Sequence, residues 1–180
     1  MNSSKDALIV SSIIQEPSSQ HYKVGCGLII RFGFHAWKGN HWKTHQTVMQ
    51  ANTVLLNLIE LQNPAYISRS VDGCEAVFED STSLIQTAIL LQSCIQKRSF
   101  PATIVLYKDQ AHLESSVWIS SMERQAEHIA YWGNDREILM MPSIKEGLSL
   151  PIGIGMLPAS KNMQKIVNMP LWTLHVYQDD

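Results

Sequence analysis

"ISRSVDGCEAVFEDSTSLIQTAIL", Ile67 to Leu90, contains the change of hydrophobic period on which the fold turns. Two β-type runs, "AYISRSV" and "CEAVF", meet at Asp72 and Gly73. Asp-Gly is a favoured two-residue hairpin connection, because both central positions of a type I′ turn need φ > 0 and these residues tolerate it best. The stretch therefore predicts a hairpin with Asp72 and Gly73 at its turn. Immediately afterwards the period becomes helical. "DSTSLIQTAILLQSCIQ" opens with side chains able to cap a helix and places Leu84, Ala88, Leu91 and Ile95 on one face. Asp72 can be read in two ways, as the turn residue of a hairpin or as a carboxylate that holds a cation.

Working outward, "YKVGCGLIIRFGF" (Tyr22 to Phe34) reads as a long strand whose Gly25 and Gly27 mark a bulge or a close backbone approach. "HQTVMQANTVLLNLIELQ" sets Val48, Ala51, Leu55, Leu58 and Ile59 at helical spacing, and "QNP" at 62–64 stops it. Downstream, "ATIVLY" (102–107) is a buried-type strand. "VWISSMERQAEHIA" predicts a helix with Ile119, Met122, Ala126 and Ile129 on one face and Ser120 and Arg124, one turn apart, on another. "REILMM" (136–141), "QKIV" and "LWTLHVY" are candidate strands, and "GLSLPIGIGMLPAS" (147–160) is a Gly/Pro-rich loop. The order β-α-β-β-α-β, then α-β-β, predicts an α+β fold: a ferredoxin-like, split-βαβ sandwich with helices packed on an antiparallel or mixed sheet. Val77, Phe78, Leu84, Ala88, Leu91, Ile104 and Leu106 are expected to be buried together.

Composition sets the class. A chain of 180 residues, 45% apolar, suits one core of ordinary size, and the expectation is an N-terminal extension (1–20) followed by a single domain (21–180). A net charge of −2 spread along the chain offers no basic stripe, which argues against nucleic acid. Cys26, Cys74 and Cys94 are an odd number without CxxC spacing, so neither a disulfide framework nor a thiolate zinc site is indicated. A reducing cytoplasm is expected. The first twenty residues lack a basic leader before a continuous apolar run, and no segment approaches the ~20 apolar residues of a membrane span.

The phrases in sequence resemble the catalytic domain of class III adenylyl and guanylyl cyclases: a strand ending in "GF", a long helix, a hairpin with Asp at its turn, "AVF", a helix and a strand. The likeness runs from about Lys23 to Gln178, through "VWISSMER", "ILMMPS" and the closing "LHVY". It implies a cyclase-like fold, nucleotide chemistry, and an active site built across a two-chain interface. In that family two Asp carboxylates, one on the first strand and one at the hairpin turn, hold two divalent ions against the triphosphate. Asp72 matches the second. The first falls at Ile30, or at Arg31 with a one-residue slip, and neither ligates a cation. The ribose-orienting Asn becomes Ser120, the phosphate-binding Lys before Gly in the last hairpin becomes Asn168, and the charge-stabilising Arg is matched by Arg124. Asp72 and Arg124 are thus the remnant catalytic candidates, and Ser120, Arg69 and Asn168 the ligand-binding ones.

The resemblance with these losses implies a signalling pseudoenzyme: a non-catalytic binding or regulatory module holding a nucleotide or other small ligand. Its expected partner is a second copy or a cyclase-like heterodimer partner, with the Met-rich tail and an exposed Trp172 as the surface. No cofactor is expected. The alternatives are an active nucleotidyl cyclase using Mg²⁺ or Mn²⁺, with Glu75 or Glu79 replacing the missing carboxylate, and an unrelated ferredoxin-like partner-binding protein. One further cluster, "FHAWKGNHWKTHQ", holds His35, His41 and His45, of which His41 and His45 have the i,i+4 spacing of a metal-binding helix but no accompanying Glu. Trp37 and Trp42 with Lys38 and Lys43 also suit a stacking, anion-pairing lip.

Overall fold

The computed structural model describes residues 22–32, 41–114, 117–134 and 136–177, with the side chains of 22, 41–44, 111–114, 117 and 119 left out of that description. The expected 1–20 extension, His35, Trp37 and the side chains of His41, Trp42 and Lys43 therefore lie outside the described residues. The chain runs β1 (Tyr22–Arg31), α1 (His41–Glu60), β2 (Tyr66–Ser70), β3 (Gly73–Phe78), α2 (Ser81–Arg98), β4 (Thr103–Glu114), β5 (Val117–Ile119) and α3 (Ser121–Trp132). It closes with β6 (Ile138–Met140), α4 (Pro142–Lys145), β7 (Ile154–Pro158), α5 (Lys161–Val167) and β8 (Trp172–Val176). One mixed sheet has the order β2-β3-β1-β4-β6-β8-β7, with β5 folded back on β4. All these pairings are antiparallel except β4 with β6.

Strand alternation sorts the core into two layers. Cys26, Leu28 and Ile30 of β1 and Phe32 just after it, with Ile104 and Leu106 of β4, pack under α1 and α2 against Val48, Leu55, Leu84, Ala88, Leu91 and Ile95. The intervening residues face α3: Ile29, Val105 and Tyr107 meet Ala126, Ile129 and Ala130. Every residue expected in the core is buried, but Val77 lies on the second face against Trp118, apart from Phe78 and the rest. Gly25 and Gly27 mark close approach and no bulge, since β1 pairs with β4 in continuous register. A Cβ at Gly27 would fall 2.0 Å from Tyr107 Cζ, and one at Gly25 would fall 2.5 Å from the Trp118 ring. Two large aromatics thus lie flat on the sheet because two side chains are missing beneath them.

Local chemistry sets the helix ends. Asp80 caps α2 by accepting from Ser83 N (2.8 Å), and α2 closes in a Schellman arrangement. There Ser99, at φ 57°, donates its N–H to Gln96 O while Phe100 N donates to Ile95 O.

Four expectations are corrected. The hairpin turn is Val71–Asp72, because Ser70 pairs with Gly73, and neither turn residue has positive φ, so it is not type I′. Gly73 is instead a strand residue held to glycine by proximity: a Cβ there would lie 1.9 Å from Ile30 O. "QKIV" is helical, within α5, whose N-cap Ser160 accepts from Met163 N; the Gly/Pro-rich stretch before it contains β7. In "VWISSMER" the first three residues form β5 and the helix starts at Ser121. Trp172 is half-buried, packed on the main core with Lys145 Nζ 4.0 Å from its ring centre, so it does not supply the exposed surface expected of it.

Candidate functional site

The end of β1 and the β2–β3 hairpin hold the positions that the family likeness assigns to metal. Ile30 is fully buried among the α1 and α2 side chains. Arg31, 9% exposed, turns to the other face, donates to Ile30 O at 3.1 Å and pairs with Glu127 of α3. Asp72 accepts from Ser70 Oγ at 3.0 Å, and its carbonyl accepts from Phe32 N at 2.8 Å, joining the turn to β1. A single carboxylate beside a guanidinium is the wrong donor set for a two-ion site. Among the described residues no group of three His, Cys, Asp or Glu is placed to hold a metal ion. The substitute carboxylates do not mend this. Glu79 lies beyond the far end of β3 and pairs with Lys23 at 3.0 Å. Glu75 lies beneath α3 as the acceptor of the Tyr107 hydroxyl.

Ser120 is not on the face of a helix; it is the N-cap of α3. Its hydroxyl accepts from Met122 N (3.1 Å) and Glu123 N (3.2 Å) and donates to Asp109 Oδ2 at 2.7 Å. Asp109 also accepts from Ser121 Oγ and Met122 N, both at 3.1 Å. Its partial burial acts to raise the carboxyl, but these hydrogen bonds prevail and hold it below the usual range. The sequence does not single out Asp109, because the apolar run ends at Tyr107. The available signal was Ser120-x-x-Glu123, a capping-box spacing that starts the helix one residue later.

Arg124 and Asn168 are brought together. With Gln125, His128, Ile129, Val167 and Met169 they line a cavity of about 390 Å³ between α3 and α5. Arg124 and His128 stand one turn apart, and Ile129, Val167 and Met169 supply apolar wall. Asn168 ends α5 at φ 53°, its N–H bonded to Gln164 O, so the place of the Lys-Gly turn is taken by a helix and its left-handed cap.

Arg69 and His45 lie elsewhere. Arg69 pairs in register with Cys74 on the α1 side of the sheet, and with His45, Met49, Asn52 and Val71 it lines a cavity of about 300 Å³. Its guanidinium pairs with Glu60 at 3.0 Å. Asn52 fastens α1 to the hairpin here, donating to Ser70 O (3.0 Å) and Gly73 O (3.1 Å).

No protein-family model and no curated protein matches the sequence. Solved structures do match the fold. An adenylate/guanylate cyclase/hydrolase from Silicibacter pomeroyi is similar at 13% identity and TM-score 0.62, covering 88% of this chain and 99% of that one. The catalytic core of a rhodopsin-guanylyl cyclase with converted specificity, in complex with ATPαS, is similar at 10% identity and TM-score 0.63, covering 87% and 98%. A non-canonical dimeric guanylyl cyclase domain from Blastocladiella emersonii is similar at 11% identity and TM-score 0.61, covering 88% and 97%. The likeness spans nearly the full length of each cyclase domain, and the chain therefore has the fold of class III adenylyl and guanylyl cyclase catalytic domains.

Proposed function

We propose that the chain is a non-catalytic, cyclase-like binding or regulatory module that holds a small anionic ligand, such as a nucleotide, in the cavity between α3 and α5. The observation that carries the reading is the end of β1. Ile30 is buried in the core and Arg31 is engaged by Glu127, so restoring a carboxylate there would require dismantling packed structure. The ligand half of the proposal rests on Arg124, His128 and Asn168 around an apolar wall, a combination that suits a phosphate joined to a ring. One cyclase of this fold holds ATPαS and another is dimeric, which supports a nucleotide as the ligand and a second copy or a cyclase-like chain as the partner.

Two measurements test this. Incubation with ATP or GTP plus Mg²⁺ or Mn²⁺ should yield no cyclic product above blank; turnover abolished by Asp72→Asn would replace the proposal with an active cyclase. Titration with ATP or GTP without divalent ion should show binding that Arg124→Ala weakens about tenfold, the loss of one charge-assisted contact. Binding by neither nucleotide, or equal binding by the variant, would remove the ligand from the α3–α5 cavity.

A further inference from the structure

Beneath α3 lies a layer of charge centred on Glu75, which does not line the ligand cavity. Glu75 sits at the centre of β3, 4% exposed, and accepts from the hydroxyl of Tyr107, which is itself fully buried. The carboxyl group of Glu123, on the first turn of α3, stands within hydrogen-bonding reach of that of Glu75. The cation of the layer is Arg31, and its guanidinium is already divided between Glu127 and Ile30 O. The charged and titratable groups around Glu75 are Arg31 from β1, Tyr107 and Asp109 from β4, Glu123, Arg124 and Glu127 from α3, and the adjoining Cys74. Three carboxyl groups therefore face one buried guanidinium, and the exposed Arg124 acts on Glu123.

We propose that Glu75 and Glu123 hold one proton between them, and that losing this proton loosens α3 from the sheet, so that the seating of the helix responds to pH. With Glu75 buried and Arg31 engaged by Glu127, charging both neighbouring carboxylates is costly, whereas a shared proton turns their repulsion into a hydrogen bond. The proton resides mainly on Glu75. Burial is the main cause, raising its carboxyl to about 7, with the Glu123 charge adding to it and the Tyr107 hydroxyl and Arg31 opposing. Burial likewise raises Glu123, with Glu127 adding to it. Tyr107 cannot take over as proton source, since burial and the Glu75 charge push its hydroxyl far up. The sign follows from linkage. A carboxyl whose folded pKa lies above its unfolded one contributes stability in full below the unfolded value and loses it as pH rises through the folded value.

Thermal melting of the wild type and of Glu75→Gln, from about pH 5 to about pH 8, tests the device. Glutamine keeps the acceptor for Tyr107 and a donor for Glu123, so it imitates the protonated state at every pH. The wild type should lose several degrees across this range, with lower protection factors at the α3 amides 126–132 at the upper end, after the base-catalysed rise in intrinsic exchange is divided out. Glu75→Gln should be flat across the window and melt above the wild type at its alkaline end. Parallel curves, or α3 amides whose protection does not respond to pH, would overturn the proposal. Should the variant fail to fold, infrared spectra of the wild type decide: the band of a protonated carboxyl should disappear between about pH 5.5 and about pH 8.5, and an unchanged band would overturn the device.

Discussion

Gly73 is glycine because of what lies 1.9 Å from its missing side chain, the carbonyl of Ile30, and its own backbone dihedrals make no such demand. Since backbone cannot yield as a flexible side chain can, Gly73→Ala must separate β3 from β1 where Arg31 pairs with it. We expect a cost of at least about 2 kcal/mol in urea denaturation. Asp72 contrasts with it. Its φ is not positive, its side chain accepts one hydrogen bond from Ser70, and its carbonyl receives Phe32 N whatever the side chain. Asp72→Asn keeps the acceptor and should lie within about 0.5 kcal/mol of wild type. Asp72→Val should cost about 1 kcal/mol for the lost hydrogen bond, with no added backbone strain. A cost well above that for Val, with Gly73→Ala tolerated, would mean that dihedral strain governs the turn after all.

At the scale of elements, α2 shows how little an amphipathic helix leaves to its context. Asp80 satisfies Ser83 N at one end, and Ser99 closes the other in a left-handed conformation. Asp80→Ala should cost about 1 kcal/mol, read as a lower denaturation midpoint with an unchanged slope, and Asp80→Asn should recover most of it. No change on Asp80→Ala would mean that α2 is held by its apolar face alone. Elements of this sort were legible in sequence: β1, α1, the hairpin, α2 and the start of β4 announce themselves through period and caps. Short elements whose form is set by contact were not. "QKIV" has strand-like composition, but Ser160 caps it and Met163 anchors it in the α3-side core with Ile129, Leu139 and Leu171, so it coils into α5. "VWI" carries apolar spacing that continues into α3, yet it pairs with β4 and ends where Ser120 meets Asp109. The candidate site was legible in part for the same reason. Arg124 and Asn168 are 44 positions apart in the sequence, and only the packing of α5 beside α3 places them around one cavity. Arg69 and His45 carry equally suitable chemistry but belong to the opposite face of the sheet, which a count of residues does not reveal.

For the molecule as a whole, the displaced titrations combine into a stability curve with a defined side. Asp80 is held below the usual carboxylate range by the Ser83 backbone and hydroxyl donors, and Asp109 by the hydrogen bonds that outweigh its burial. A carboxyl depressed in the folded state contributes stability above its unfolded pKa and loses it as pH falls through the folded one. Both contributions are complete by about pH 5 and fade in stronger acid. Glu75 acts in the opposite sense, since its folded pKa is raised to about 7, and its contribution is fullest below the unfolded value and is lost on rising through neutrality. Burial also lifts the thiol of Cys74 to about 12 and that of Cys26 above its ordinary value, so in strong alkali the folded state again binds protons more tightly than the unfolded chain and stability falls further. The maximum should therefore lie well on the acid side of neutrality, near about pH 4 to 5, where the Asp contributions are almost complete and the loss from Glu75 has only begun. Denaturant midpoints measured from about pH 3 to about pH 10 check this. A maximum at pH 8 or above would show that the buried carboxyl layer under α3 is balanced by charge in the folded state, with Arg31 serving Glu75 and Glu127 alike.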